Sequence, residues 1–286
     1  MTPKGAGNGS APAPPDKRMQ KNQKIFKNPH KKFEPKGLSI LYEDRDILVV
    51  DKVSGLLTMS DGKGQDNTAY CLLNDYVRKG NPKSRNRIFI VHRLDRETSG
   101  VLVFAKTEAA KQYLQDAWPE FKKKYYAVVC GTLPEKEGVI ISYLAENSAH
   151  KMYSVADPAK GKFAKTGYRV LKESPNCSLL EIELFTGRKN QIRVHLADKG
   201  CPVAGDAKYG AKEKSFKKLT LHAASLTITH PFSTEKMTFI SLIPAYFESL
   251  IKGAQKICNA QLKQAPLEQR PALKSAENNG AERGDG

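Results

Sequence analysis

The residues that could do chemistry crowd into one short stretch, His92-Arg93-Leu94-Asp95-Arg96-Glu97-Thr98-Ser99-Gly100. Asp95 stands among His92, Arg93 and Arg96, and nearby positive charge favours an ionised carboxylate. Such a carboxylate in a basic chain suits the handling of an anionic substrate. A structural role competes with that reading, because Asp followed by Thr and Ser can close a turn through side-chain-to-backbone hydrogen bonds. On the composition of the stretch alone the structural role is the stronger; a chemical role needs partners from elsewhere in the chain. Other familiar chemistries lack their residues. The sequence holds no Gly-rich phosphate loop ending in Gly-Lys-Ser/Thr, no Gly-x-Gly-x-x-Gly after a strand and no Cys/His metal array. Nor does it hold a Gly-x-Ser-x-Gly elbow. The expected chemistry therefore needs no metal or nucleotide cofactor, and its groups are a carboxylate, an arginine and a tyrosine.

Around Asp95 the pattern reads strand, loop, strand, with the apolar runs 88–91 and 101–105 on either side and Gly100 at the re-entry. Residues 38–42 and 47–50 read as a hairpin. Ala69, Leu72, Leu73, Tyr76 and Val77 fall at helical spacing, with Asn67 or Thr68 as cap and Gly80 as stop. A second helix near Thr107 buries Ala110, Leu114, Ala117 and Trp118, which are read as core. A strand covers 125–129, and Tyr126 is expected to face the core opposite Tyr125. Residues 132–166 look irregular, with an exposed tip at Ala159-Lys160-Gly161-Lys162. Leu180, Ile182 and Leu184 alternate with Glu181 and Glu183, a half-buried strand. A Thr186-Gly187-Arg188 turn leads to a helix over 190–199, then strands near 223–229 and 237–243 and a short helix near 244–252. Hairpins with irregularly interspersed helices indicate the α+β class.

The chain of 286 residues carries a formal net charge of +17. That excess favours a polyanionic partner, with nucleic acid ahead of a membrane surface. No apolar run approaches the ~20 residues of a membrane span. Cys71, Cys130, Cys177, Cys201 and Cys258 are odd in number and dispersed, which suggests reduced thiols in a cytoplasm. Residues 1–37 hold nine Lys or Arg against two acids, a net +7, and read as a disordered basic arm able to attach to phosphates. Residues 38–253 form one folded domain and 254–286 a disordered tail. A monomer is expected.

Val91-His92-Arg93-Leu94-Asp95-Arg96-Glu97-Thr98-Ser99-Gly100 resembles the active-site signature of the RNA pseudouridine synthases of the RluA family, the large-subunit rRNA/tRNA uridine type. Further blocks match in order: Asp51-Lys52-Val53-Ser54-Gly55-Leu56-Leu57, Lys123-Lys124-Tyr125-Tyr126-Ala127-Val128-Val129-Cys130-Gly131, and Thr186-Gly187-Arg188-Lys189-Asn190-Gln191-Ile192-Arg193-Val194-His195-Leu196. That last block continues to Gly205-Asp206-Ala207-Lys208-Tyr209-Gly210, and Leu221-His222-Ala223 up to His230-Pro231 adds a weaker match. The resemblance spans roughly residues 38–250. It implies a pseudouridine-synthase catalytic domain, a mixed and mostly antiparallel sheet flanked by helices and loops, with the active-site cleft across the sheet.

The activity implied is cofactor-free isomerisation of uridine to pseudouridine in rRNA or tRNA. The N1–C1′ bond breaks, the uracil turns, and C5 bonds to C1′. Asp95 matches the catalytic aspartate, which either attacks C1′ or assists elimination to a glycal. Arg193 matches the arginine that pairs with it, and a planar guanidinium can orient a carboxylate through a bidentate contact. Tyr125 matches the tyrosine that stacks on the base and helps remove the C5 proton. Arg96 is placed to fill the space a flipped base leaves, while Arg93, Arg188 and Lys189 are RNA contacts. His92 and Asp206 are read as structural, and Thr98, Ser99 and Gly100 as turn-formers. Two departures stand out: Val53 replaces a common proline, and Asn190 stands where the family often has His. The family's frequent N-terminal module of the small ribosomal-protein type is not recognisable. The partner is RNA, not DNA or a membrane. A non-catalytic RNA-binding or ribosome-assembly factor on the same fold is the rival reading, although it would not need Asp95, Tyr125 and Arg193 together. A glycosidase-like carboxylate pair is disfavoured because no second acid sits in a matching block.

Overall fold

The computed structural model describes residues 35–60, 67–210 and 216–251. Most of the arm (1–34), all of the tail (254–286) and the end of the last expected helix lie outside the described residues. So does Cys258; the other four cysteines are free thiols.

The strands are β1 (Leu38–Glu43), β2 (Ile47–Lys52), β3 (Phe89–Ile90), β4 (Ser99–Ala105), β5 (Lys122–Cys130), β6 (Glu137–Glu146), β7 (Met152–Val155), β8 (Lys162–Glu173), β9 (Cys177–Leu184), β10 (Leu221–Thr229) and β11 (Lys236–Ile240). The helices are α1 (Ala69–Arg78), α2 (Glu108–Asp116), α3 (Gln191–Asp198) and α4 (Tyr246–Leu250). One sheet runs β1-β2-β4-β10-β5-β9-β8-β6-β7, with β3 beside β4 and β11 beside β10. Among these ladders β4–β10 is parallel and the others antiparallel. The architecture is the expected α+β class. No helix among the described residues is long and apolar enough to cross a membrane.

Local signals explain the helix starts. Thr68 caps α1 by accepting from Cys71 N, and Thr107 caps α2 by accepting from Ala110 N. Burial does the rest. Leu48, Val50, Leu102 and Phe104 of the sheet pack with Leu73 and Tyr76 of α1. Ala127, Leu180 and Ile182 pack with Ile192 and Leu196 of α3. Tyr125 touches both clusters and so sits at the seam between them. Tyr126, one residue on, is 1% exposed among Val128, Leu179 and Phe247 in a separate cluster. A two-residue repeat puts these neighbours on opposite faces.

The register explains why the seam matters. Lys52 pairs with Gly100, Gly100 with Ala223, Ala223 with Tyr125, and Tyr125 with Ile182. One rank across the sheet thus joins the entry to β4 with the tyrosine of β5. Gly100 has φ +112°, and a Cβ there would lie 2.2 Å from Ala223 O. Only glycine lets β4 and β10 close at that point.

One expectation fails. Residues 132–166 are not irregular: they contain β6, β7 and the start of β8. Ile140 and Leu144 of β6 are buried while Val139 and Ile141 are 54% and 57% exposed. Apolar residues on both faces erase the alternation that marks a half-buried strand.

Candidate active site

The loop before β4 is held from behind by residues 52–58. Thr58 Oγ1 donates to Leu94 O at 2.9 Å and accepts from Leu94 N at 3.2 Å. Gly55 N donates to Arg96 O at 2.8 Å, and Ser54 Oγ to Glu97 O at 2.8 Å. Lys52 is fully buried, and its Nζ donates to Val53 O, Leu56 O and Arg96 O at 3.0, 2.8 and 3.2 Å. Its three donors meet three carbonyls, so a charge that burial would penalise is accommodated; burial still pushes its pKa down to about 8. Backbone on both sides of Asp95 is thereby fixed. Within the loop, Thr98 N donates to Asp95 O at 3.1 Å, and Ser99 Oγ lies 2.9 Å from His222 Nδ1.

Arg193 arrives from α3. Its Nη1 donates to Asp95 Oδ2 at 3.2 Å, while Nε and Nη2 fork onto Asp206 Oδ2 and Oδ1 at 2.7 and 2.8 Å. The bidentate partner is therefore Asp206, whose side chain is 0% exposed, rather than Asp95. Asp206 Oδ1 also accepts from Lys208 N and Tyr209 N at 2.9 and 3.0 Å. Burial alone would raise Asp206, but Arg193 and those two backbone N–H groups hold its carboxyl below the ordinary range. Burial opposes the charge on Arg193, yet Asp206 and then Asp95 raise its pKa further above normal. The result is a fixed cation aimed at Asp95.

A cleft of ≈ 330 Å³ opens over this pair, lined by Asp95, Tyr125, Arg193, Arg93, Arg188 and Lys189 among others. Six of the seven site residues expected from sequence thus meet at one cleft. Arg96 does not line it: its side chain is 60% exposed and its Nε donates to Gly55 O at 3.1 Å. Burial and then the charge of Asp95 raise the Tyr125 phenol well above its usual pKa. Trp118, read as core, lines the cleft as well, stacked on His92 with ring centroids 4.2 Å apart. His92 Nε2 accepts from Val103 N at 3.1 Å, and burial next to Lys123 pushes its pKa down to about 3. That backbone contact suits the structural role expected of it, although its ring also reaches the cleft lining.

The turn before α3 depends on Gln191, which is 2% exposed. Its Oε1 accepts from Thr186 Oγ1 and Arg188 N, and its Nε2 donates to Lys165 O and Thr166 Oγ1. Asn190 takes φ +54° and its Nδ2 donates to Tyr209 OH at 3.0 Å. Asn tolerates that left-handed backbone better than most residues. The position where His was expected thus serves the turn.

The family model described as RNA pseudouridylate synthase matches residues 46–198. The chain belongs to the RNA pseudouridine synthase family. Members isomerise uridine in RNA, and relatives named synthase D place this synthase in the RluA group. Ribosomal large subunit pseudouridine synthase D of Zymomonas mobilis is 36% identical over 233 residues, covering 75% of this chain and 72% of that protein. An RNA pseudouridine synthase of Bacillus subtilis, YhcT, is 34% identical over 219 residues, covering 75% and 72%. The solved structure of human RNA pseudouridylate synthase domain containing 1 matches this synthase with a TM-score of 0.61 at 27% identity, covering 82% of this chain and 97% of that one.

Proposed function

We propose that this synthase converts particular uridines of ribosomal or transfer RNA to pseudouridine with Asp95 as its catalytic carboxylate. The observation that carries the reading is the sharing of Arg193: Asp206 takes its fork and Asp95 its remaining Nη1 at 3.2 Å. A nucleophile or base must be aimed before it reacts, and a guanidinium locked from behind does that.

A base must leave its stack to reach this cleft. Arg93, Arg188 and Lys189 at its walls suit the phosphates around the target, and the exposed Arg96 outside it would fill the vacated stack on giving up its contact with Gly55 O. Asp95 assists cleavage of N1–C1′, by addition to C1′ or by removing the proton whose loss gives a glycal. The uracil turns and C5 bonds to C1′, which breaks the Asp95–C1′ ester in the first route or takes the proton back from Asp95 at C2′ in the second; C5 then loses its proton and N1 gains one. Atoms and electrons balance within the nucleotide. Tyr125, half-buried at the seam of the two clusters and in the cleft lining, offers its ring as a packing surface for uracil.

Tritium release from RNA labelled at uridine C5 tests the assignment. Wild type is expected to release tritium, and Asp95→Asn and Asp95→Ala to release none while still binding RNA. Release by either variant at the wild-type rate would remove Asp95 from the chemistry.

A further inference from the structure

Beside the catalytic cleft lies a larger groove of ≈ 820 Å³, and the turn Gly187-Arg188-Lys189 walls both. Its other walls are the β6–β7 hairpin and the tip at residues 159–162. Four cations line it, Lys160, Lys162, Arg188 and Lys189, against one acid, Glu146, which Lys189 and His150 already engage. Among the described residues Lys160 pairs with Asp157 in an exposed contact at 3.5 Å, and pairs of that kind are weak. Tyr153, also in the lining, is 45% exposed.

This rim is built rather than loose. A Cβ on Gly161 would lie 2.7 Å from Val155 Cγ2 and 2.9 Å from Tyr143 Cβ, so the tip is packed directly onto the hairpin. Arg188 is oriented by its Nε, which donates to Phe163 O at 3.0 Å. Lysines on a fixed ridge and an exposed aromatic in the same groove form the pattern that holds single-stranded nucleic acid, charge to phosphate and ring to base. A duplex keeps its base faces stacked and offers none to Tyr153.

We propose that this groove binds the unpaired RNA strand flanking the target uridine, with Lys160 and Lys162 on its phosphates and Tyr153 against a base. The proposal rests on the isomerase reading, since the shared turn makes the occupant the same strand whose base enters the cleft.

The test uses fluorescence-labelled oligouridylates of roughly 4 and roughly 12 nucleotides, within the site sizes known for single-strand grooves. Binding is measured on the full chain over a range of salt. Lys160→Ala/Lys162→Ala is expected to weaken the longer oligomer about tenfold and to flatten its log–log salt slope by about 1.4, roughly 0.7 for each phosphate of a single strand that is no longer neutralised. Tyr153→Ala should also weaken it about tenfold, because one base no longer stacks, with the slope unchanged. Lys83→Ala, in the loop after α1, removes the same kind of charge as a control. Wild-type affinity and slope in the double lysine variant, or effects no larger than those of Lys83→Ala, would overturn the proposal. Polyglutamate binding as tight as the longer oligomer, and equally sensitive to these variants, would assign the groove to an acidic peptide instead. Binding is read without turnover, so a failure here is separate from a failure of tritium release.

Discussion

Arg193 divides one guanidinium between two carboxylates, and the division decides what each residue can do. Asp206 holds the fork, so the position of Arg193 does not depend on Asp95 or on substrate. Removing one partner of a buried ion pair typically costs about 3–5 kcal/mol, and Arg193 is 11% exposed at its side chain. Asp206→Ala is therefore expected to lower unfolding free energy by about 3–5 kcal/mol. It should also cut kcat about a hundredfold with KM little changed, because a misplacement of about 1 Å can cost that much. Urea unfolding and steady-state kinetics on the same preparation check both; an unchanged kcat would show that Asp95 needs no such orientation. Asp206 also has a pH signature. Its folded pKa is depressed, so its stabilisation is complete above the unfolded value of about 3.9 and is lost as pH falls through the folded value.

At the scale of elements, the loop before β4 is positioned by a register and a clamp. Gly100→Ala would drive a Cβ to 2.2 Å from Ala223 O at the parallel β4–β10 contact, whereas Gly55, with φ +92°, has nothing within 4 Å. Gly100→Ala is expected to lose more than about 3 kcal/mol of stability and all turnover, and Gly55→Ala only about 1 kcal/mol, the range of backbone strain at positive φ. Denaturant midpoints for the pair check it; equal losses would contradict the close approach. The sequence reveals part of this arrangement. The meeting of Asp95, Tyr125 and Arg193 at one cleft was legible because the ordered blocks carry them, and the caps at Thr68 and Thr107 because capping is local. Lys52 was not legible as a clamp, since a buried lysine that satisfies three carbonyls leaves no mark on its neighbours in sequence. Asp206 reads from sequence only as structural, because its contact with Arg193 depends on tertiary placement. β6 has no strand signature in the sequence because it carries apolar residues on both faces.

At the scale of the whole molecule, charge and buried histidines set how the synthase responds to its medium. His195 and His222 are buried, and burial pushes both down to about 4, with His92 at about 3. Each is neutral in the fold but takes a proton near pH 6.5 when unfolded. The unfolded state therefore binds more protons below that pH, and stability is expected to fall from about pH 6.5 toward pH 4 by roughly 1.4 kcal/mol per pH unit for each group. Above pH 6.5 their contribution is constant. A urea midpoint unchanged between about pH 7 and 5 would contradict the neutral assignment. The net charge of +17 fits a polyanionic partner, as the RNA substrates of this family are. Whether Asp95 makes pseudouridine in ribosomal or transfer RNA is decided by mapping pseudouridines across total RNA. Cells lacking the synthase would be compared with the same cells supplied with wild type or Asp95→Asn. Defined rRNA or tRNA positions are expected to lose pseudouridine without the synthase, to regain it with wild type and to stay unmodified with Asp95→Asn; no lost position, or full restoration by Asp95→Asn, would rule out Asp95 as the catalytic carboxylate.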